Sequence, residues 1–263
     1  MEYLNSLSKF ALIIQYDGRN YYGFQWQKGQ PTVQATLEAA IHKVTNEYKR
    51  VIAASRTDAG VHAKYQVVSF WSNSQLSPQI LVKALNYYLP RDIAVKAAAR
   101  VGADFDIRKY AISREYEYRI YCSRTRSPLN SYYAYQVPYQ LDIDKMNQAC
   151  QLLIGEQDFT SFASSACLSR SRIKTIFVAG FIKYGEMAIF HIAANSFLTH
   201  QVRNTVGFLI KLGIGKKSID ELKQKMIIKK SGAVGPTAPA YGLCLIKINY
   251  PRNLELKYED LFN

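Results

Sequence analysis

Residues 53–70 read "AASRTDAGVHAKYQVVSF" and set Arg56 two positions before Asp58, with Ala59 and Gly60 following. A guanidinium beside a carboxylate keeps it ionised and ready to act as a nucleophile or a base. The small residues after Asp58 would let a substrate approach the backbone closely. No second acidic residue stands nearby, which argues against the paired carboxylates of glycoside hydrolysis. The bland reading is a turn aspartate that caps backbone N–H groups. In that reading Arg56 is a surface partner, worth ~0–1 kcal/mol.

Further along, "SREYEYRIY" puts Tyr116, Tyr118 and Ile120 on one face of a strand by simple alternation. A core ring is the commonest fate of such a tyrosine. Arg203, in "HQVRN", falls on a helical stretch among Val202, Val206 and Leu209. A basic group in those surroundings needs an anionic partner. Leu243, on the last apolar run, reads by type alone as a core leucine. Residues 211–230 hold seven lysines and two acids. Lys216 and Lys217 belong to that run, which is either a solvated helix face or a phosphate-contacting surface.

The elements that must position these residues come in the same order twice. Phe10–Tyr16 alternates as a strand, and Thr32 is an N-cap for a helix through "VQATLEAAIHKV". "YKRVIAA" and "AKYQVVSFW" are two strands flanking the Asp58 loop. Ser77-Pro78 opens a second helix, with proline at its first position. "DIAVKAAARV" closes the unit as a strand. The second half repeats this with "REYEYRIYC", the helix "DIDKMNQACQLLIG" stopped at Gly155, and a hairpin around Tyr184-Gly185-Glu186. A helix over "LTHQVRNTVGFLIKLG" and the strand "YGLCLIKINY" complete it. The fold class expected is α/β (α+β), as two ferredoxin-like β-α-β-β-α-β halves. Residues 1–105 carry the Asp58 loop, and residues 106–263 carry Tyr116, Arg203 and Leu243.

The chain of 263 residues is 48% hydrophobic, enough for a sizeable core. Its net charge of +14 favours a polyanionic partner. Cys122, Cys150, Cys167 and Cys244 form no C-x-x-C pair, and the four histidines lack metal-ligand spacing. Neither a metal nor a disulfide framework is expected. No apolar run approaches the ~20 residues of a membrane span, and the N-terminus does not read as a signal peptide. A soluble, cytoplasmic protein is expected.

The string "RTDAGVHA" resembles the signature of the TruA family of tRNA pseudouridine synthases. "QYDGRNYYGFQWQ", "TVQATLEAAI", "LNYYLPRDIAV", "SREYEYRIY", "GEQDFTSF", "HQVRNTVG" and "GPTAPAYGLCL" resemble other family blocks, in family order. The resemblance implies an isomerase that detaches uracil from C1′ of its ribose, turns it, and rejoins it through C5. No cofactor or metal is needed for that. It implies that Asp58 is the essential carboxylate, attacking C1′ or C6 or abstracting a sugar proton. It implies that Arg56 fills the space of the extruded base, where unstacking costs a few kcal/mol. Tyr116 would stack on the uracil and stand near enough to take the C5 proton. Arg203 would reach the Asp58 carboxylate, and Leu243 would wall the uracil pocket.

The same resemblance implies one long antiparallel sheet with the active site in a cleft between the halves. The substrate implied is tRNA, unstacked at about positions 38 to 40 of the anticodon stem-loop, and the assembly a homodimer. This chain departs from the family pattern at Asp106 and Ile107, where His-Ala is usual, and at Ala163, where arginine is frequent. A tRNA-binding module without catalysis would lose the carboxylate. Here Asp58, Arg56, Tyr116 and Arg203 are all present.

Overall fold

In the computed structural model, which describes residues 7–251, ten strands and five α-helices build the mixed α/β fold expected. They group into two compact units. One holds the described residues of Met1–Ile112 together with those of Leu245–Asn263, and the other is Ser113–Cys244. The 106–112 segment and most of the last strand thus pack with the first unit, although the order of elements along the chain assigns both to the second half.

The first unit is built on β1 (Ser8–Tyr16), whose apolar run is buried from Phe10 to Ile14. β3 (His62–Ser72) and β4 (Ile93–Val101) pair with it antiparallel on either side, and Phe10 stacks on Phe70 across the β1–β3 ladder. β10 (Leu243–Asn249) lies on the other side of β3. α1 (Val33–Thr45) begins where Thr32 accepts from Ala35 N, and α2 (Pro78–Tyr88) where Ser77 accepts from Ile80 N. Both caps satisfy donors that a helix start leaves orphaned.

The strand expected over "YKRVIAA" shrinks to β2 (Ile52–Ala53). The backbone before it is occupied by α1 side chains. Val51 N donates to Glu38 Oε1 at 2.9 Å, and Val51 O accepts from Gln34 Nε2 at 3.1 Å.

In the second unit β5 (Ser113–Cys122), β9 (Met187–Ala194), β8 (Ile173–Tyr184) and β7 (Gly155–Asp158) form an antiparallel sheet in that order. β6 (Tyr135–Val137) adds to β5 in parallel. The hairpin at Gly185 is as expected, with β8 and β9 meeting there. α3 (Ile143–Gln151) lies against β8, where Asn147 exchanges two hydrogen bonds with the Phe181 backbone. α4 is Gln201–Gly213 and α5 is Ile219–Ile228.

α3 stops before Gly155, its last carbonyls (Ala149, Cys150 and Gln151) accepting from Leu152, Leu153 and Ile154 N in a tightened final turn. Gln157 Nε2 donates to Leu152 O at 2.8 Å and to Ile154 O at 3.0 Å. Among the described residues no helix is long and apolar enough to cross a membrane.

Candidate active site

The Asp58 loop joins β2 to β3 and is held at almost every residue. Ala54 N donates to Val67 O at 2.9 Å. The fully buried Gln66, on β3, accepts from Ser55 N at 3.2 Å and donates to Ser55 O at 2.7 Å. Tyr16, at the end of β1, bonds Thr57 Oγ1 at 2.7 Å in a buried contact. Phe24 N donates to Thr57 O at 3.1 Å, and Gly60 N to Tyr21 O at 3.2 Å.

Two glycines let the 17–24 segment lie directly against this loop. A Cβ on Gly18 would overlap the Val61 carbonyl oxygen. One on Gly23 would stand 2.7 Å from Thr57 O and 3.1 Å from the Asp58 carbonyl carbon. Glycine is the residue for so close a backbone approach. Local spacing singles out Asp58 but none of Tyr16, Gly18, Gly23 and Gln66, which position it. "QYDG" and the polar Gln66 inside the apolar "QVVSF" run are the signals the sequence offers for them.

Within that frame Thr57 points inward, Asp58 is half-buried, and Arg56 and Ala59 are exposed. A second cation stands by. Arg108 Nε donates to Ala53 O at 2.8 Å, at the start of the loop. Packing against the fold, and then the like charge of Arg56, pull the Arg108 guanidinium below its ordinary value. Two guanidiniums that feel each other at the start of the loop make a locally positive surface suited to an anionic ligand.

The departure at Asp106 has a local use. Its Oδ1 accepts from Arg108 N at 2.8 Å and Lys109 N at 3.1 Å, closing the turn that presents Arg108. Those backbone donors hold its carboxyl below the usual range. Ala163 is fully buried, and its carbonyl accepts from Gly232 N at 2.8 Å.

In the second unit Tyr116, Tyr118 and Ile120 share the buried face of β5. The Tyr116 ring meets Phe197 edge-on at 5.3 Å. Tyr118 is wholly enclosed, and its hydroxyl donates to Pro239 O at 2.8 Å. Burial pushes the Tyr118 phenol up, with Tyr241 adding to the shift and the Arg203 charge opposing it. Arg203 lies in the first turn of α4, half-buried, and its Nε donates to Ala238 O at 2.8 Å. Ala238 N donates back to Arg203 O at 3.1 Å. Leu243 is buried at the start of β10, just after Tyr241.

The second unit therefore gathers Tyr118, Arg203 and Tyr241 around the 238–241 segment. Nothing in the sequence pattern marks Tyr118 or Tyr241 as belonging to that group. Lys216 and Lys217 stand apart from it, because α4 has Arg203 at its first turn and the lysines beyond its last. At ~1.5 Å rise per residue, that separates them by roughly 15–20 Å. Among the described residues, no group of three or more His, Cys, Asp or Glu could hold a metal ion.

A firmly held loop with one half-buried carboxylate, and with Arg56 and Arg108 near each other at its start, fits an enzyme that handles an anionic substrate. A profile described as tRNA pseudouridine synthase matches residues 12–108 and 149–251. The tRNA pseudouridine synthase A of Francisella tularensis subsp. mediasiatica (strain FSC147) is 42% identical over 245 residues, covering 93% of this chain and 95% of its own. The protein of the same name from Francisella philomiragia is 40% identical over the same span. Among solved structures, a chain of a Cbf5-Nop10-Gar1 complex covers 90% of this chain and 58% of its own, at 11% identity and a TM-score of 0.36. This chain belongs to the tRNA pseudouridine synthase family and is an isomerase.

Proposed function

We propose that this enzyme isomerises uridines in the anticodon stem-loop of tRNA, and that Asp58 is the carboxylate on which the reaction depends. The observation that carries this reading is the Asp58 loop, whose backbone is fixed through Ser55 and Gln66 and whose start is met by Arg108. Whether the carboxylate meets C1′, C6 or a sugar proton, it must be held still. Gln66, Tyr16 and the two glycine contacts hold its loop.

Uracil leaves C1′, turns, and forms its new bond through C5, whose proton must then be removed. We assign Tyr116 to the uracil face and to that proton, Arg203 to the Asp58 carboxylate, and Leu243 to the wall of the base site. Arg56, being exposed and planar, takes the place of the extruded base in the stack. The reading extends to a homodimer that holds one tRNA across both subunits.

The deciding measurement is tritium release from C5-labelled uridine in tRNA by Asp58→Asn. No turnover is expected, with tRNA affinity within a few-fold of wild type because phosphate contacts dominate binding. Appreciable turnover by the purified variant rejects the assignment.

A further inference from the structure

Along the 236–239 segment lies a cavity of about 240 Å³. Tyr135, Tyr139, Pro236, Pro239, Ile210 and Lys211 line it. Ala238 and Pro239 line it too, and theirs are the carbonyls that accept from Arg203 and Tyr118. The cavity and the Arg203 group thus share one short stretch of backbone. On α4, Arg203, Gly207 and Lys211 follow one another at helical spacing along one face.

The walls are pre-formed. A Cβ on Gly207 would overlap the Pro236 carbonyl oxygen, so helix and segment are in direct contact. Thr237 Oγ1 donates to Asn204 Oδ1 at 2.6 Å, tying the segment to α4 a second time. Fixed walls spare a ligand the cost of organising its own site.

The chemistry of these walls is that of a base and its phosphate. Tyrosine rings and prolines offer flat apolar surfaces, and stacking on them tolerates any base. Lys211 supplies a single positive charge in the last turn of α4 and forms no ion pair among the described residues. The volume is below the ~300–1,000 Å³ of drug-sized sites, which suits one base.

We propose that this cavity takes one nucleotide of the substrate RNA other than the uridine being isomerised, its base against Tyr139 and its phosphate at Lys211. The inference rests on the tRNA-isomerase reading and adds a second point of grip to it. A base held here would register the RNA on the same segment that steadies Arg203.

The test uses the full-length enzyme and substrate tRNA in which single uridines, never the isomerised one, are replaced by 5-iodouridine. Irradiation should crosslink at least one such position to Tyr139 or Tyr135, as mapped by mass spectrometry. Tyr139→Ala and Lys211→Gln should each weaken tRNA binding about ten-fold, and Tyr139→Phe should restore it, since the ring and not the hydroxyl does the stacking. The loss should fall on Kd far more than on the single-turnover rate at saturating enzyme. Tyr139 is 55% exposed, so its truncation should leave the melting temperature within a degree or two of wild type.

Crosslinks confined to other residues, or wild-type affinity in Tyr139→Ala, would overturn the proposal. The activity reading is decided separately by pseudouridine formation in the unmodified tRNA. If that fails while the crosslink and the affinity loss persist, the cavity stands and the isomerase assignment falls.

Discussion

The 54–61 loop and the 211–230 run both carry charge that could meet RNA, and they are held in opposite ways. In the loop one carboxylate sits on a backbone bonded to Gln66, Phe24 and Tyr21, tied by the Thr57 hydroxyl to Tyr16, and pressed by Gly18 and Gly23. In the run, charge is met only at the tips of long side chains. Lys217 pairs with Glu221 at 3.1 Å, Lys223 with Asp220 at 3.1 Å, and Lys229 with Asp158 at 3.5 Å, while Lys216 and Lys230 are exposed. Exposed pairs of that kind contribute ~0.2–1 kcal/mol each. The contrast separates a site from a field. Chemistry needs one group held to a fraction of an ångström, whereas attraction of a polyanion needs only the sum of many loose charges.

The hardest blow to that contrast is Gly18→Ala. Its methyl group meets backbone at Val61 and not a side chain that could turn away, so the loop must shift. We expect destabilisation of about 1–3 kcal/mol by thermal melting. At saturating tRNA, kcat should fall ~100-fold or more, because small displacements of a reacting group cost that much. A Gly18→Ala enzyme with wild-type kcat would show that the loop is not held from this side.

Next comes Gln66→Ala, which strips Ser55 of both an acceptor and a donor. The expected cost is about 2–3 kcal/mol in denaturant unfolding, with kcat falling more than KM rises. Gln66→Glu sets a buried carboxylate against the Ser55 carbonyl and should cost at least as much as the alanine.

A smaller effect is expected at Asp158, where the second unit fixes one carboxylate locally. The Thr160 hydroxyl, with its backbone N–H and Lys229, holds the Asp158 carboxyl below its ordinary value against the opposing pull of burial. A depressed folded-state value means the stabilisation is present above the unfolded value of about 3.9 and is lost as pH falls through the folded one. Asp158→Asn should therefore cost ~1 kcal/mol at pH 7, and the gap to wild type should close as urea melts are repeated from pH 5 down to pH 2.

The least disturbance is expected from Lys216→Ala with Lys217→Ala. Stability should stay within about 0.5 kcal/mol. If these lysines face RNA phosphates, the log–log slope of affinity against salt should shrink by ~0.7–0.9 for each phosphate no longer neutralised. An unchanged slope would make the run a solvated face.

Much of the fold is legible in the chain. Thr32, Ser77-Pro78 and the turn at Gly185 announce themselves because caps and turns are decided by a few adjacent residues. Asp58 stands out for a similar reason, as an acid flanked within two positions by Arg56 and by small residues. The family resemblance then assigns it a chemistry that local spacing alone leaves open between a nucleophile or base and a turn cap.

Only the tertiary structure decided what holds that acid and what surrounds Arg203. Tyr16 reaches Thr57 across 41 positions, Arg108 reaches Ala53 across 55, and Tyr118 reaches Pro239 across 121. "YKRVIAA" keeps its strand pattern on paper yet yields two paired residues, because Glu38 and Gln34 of α1 take the backbone of Val51 first. Arg203, for which the sequence demanded an anionic partner, donates its Nε to a carbonyl supplied from 35 positions away. Propensity and patterning act over a turn or a strand and can be read along the chain. A hydrogen-bond partner, or a glycine's need to be a glycine, depends on which distant segment the fold brings within contact distance, and that is settled only when the whole core packs.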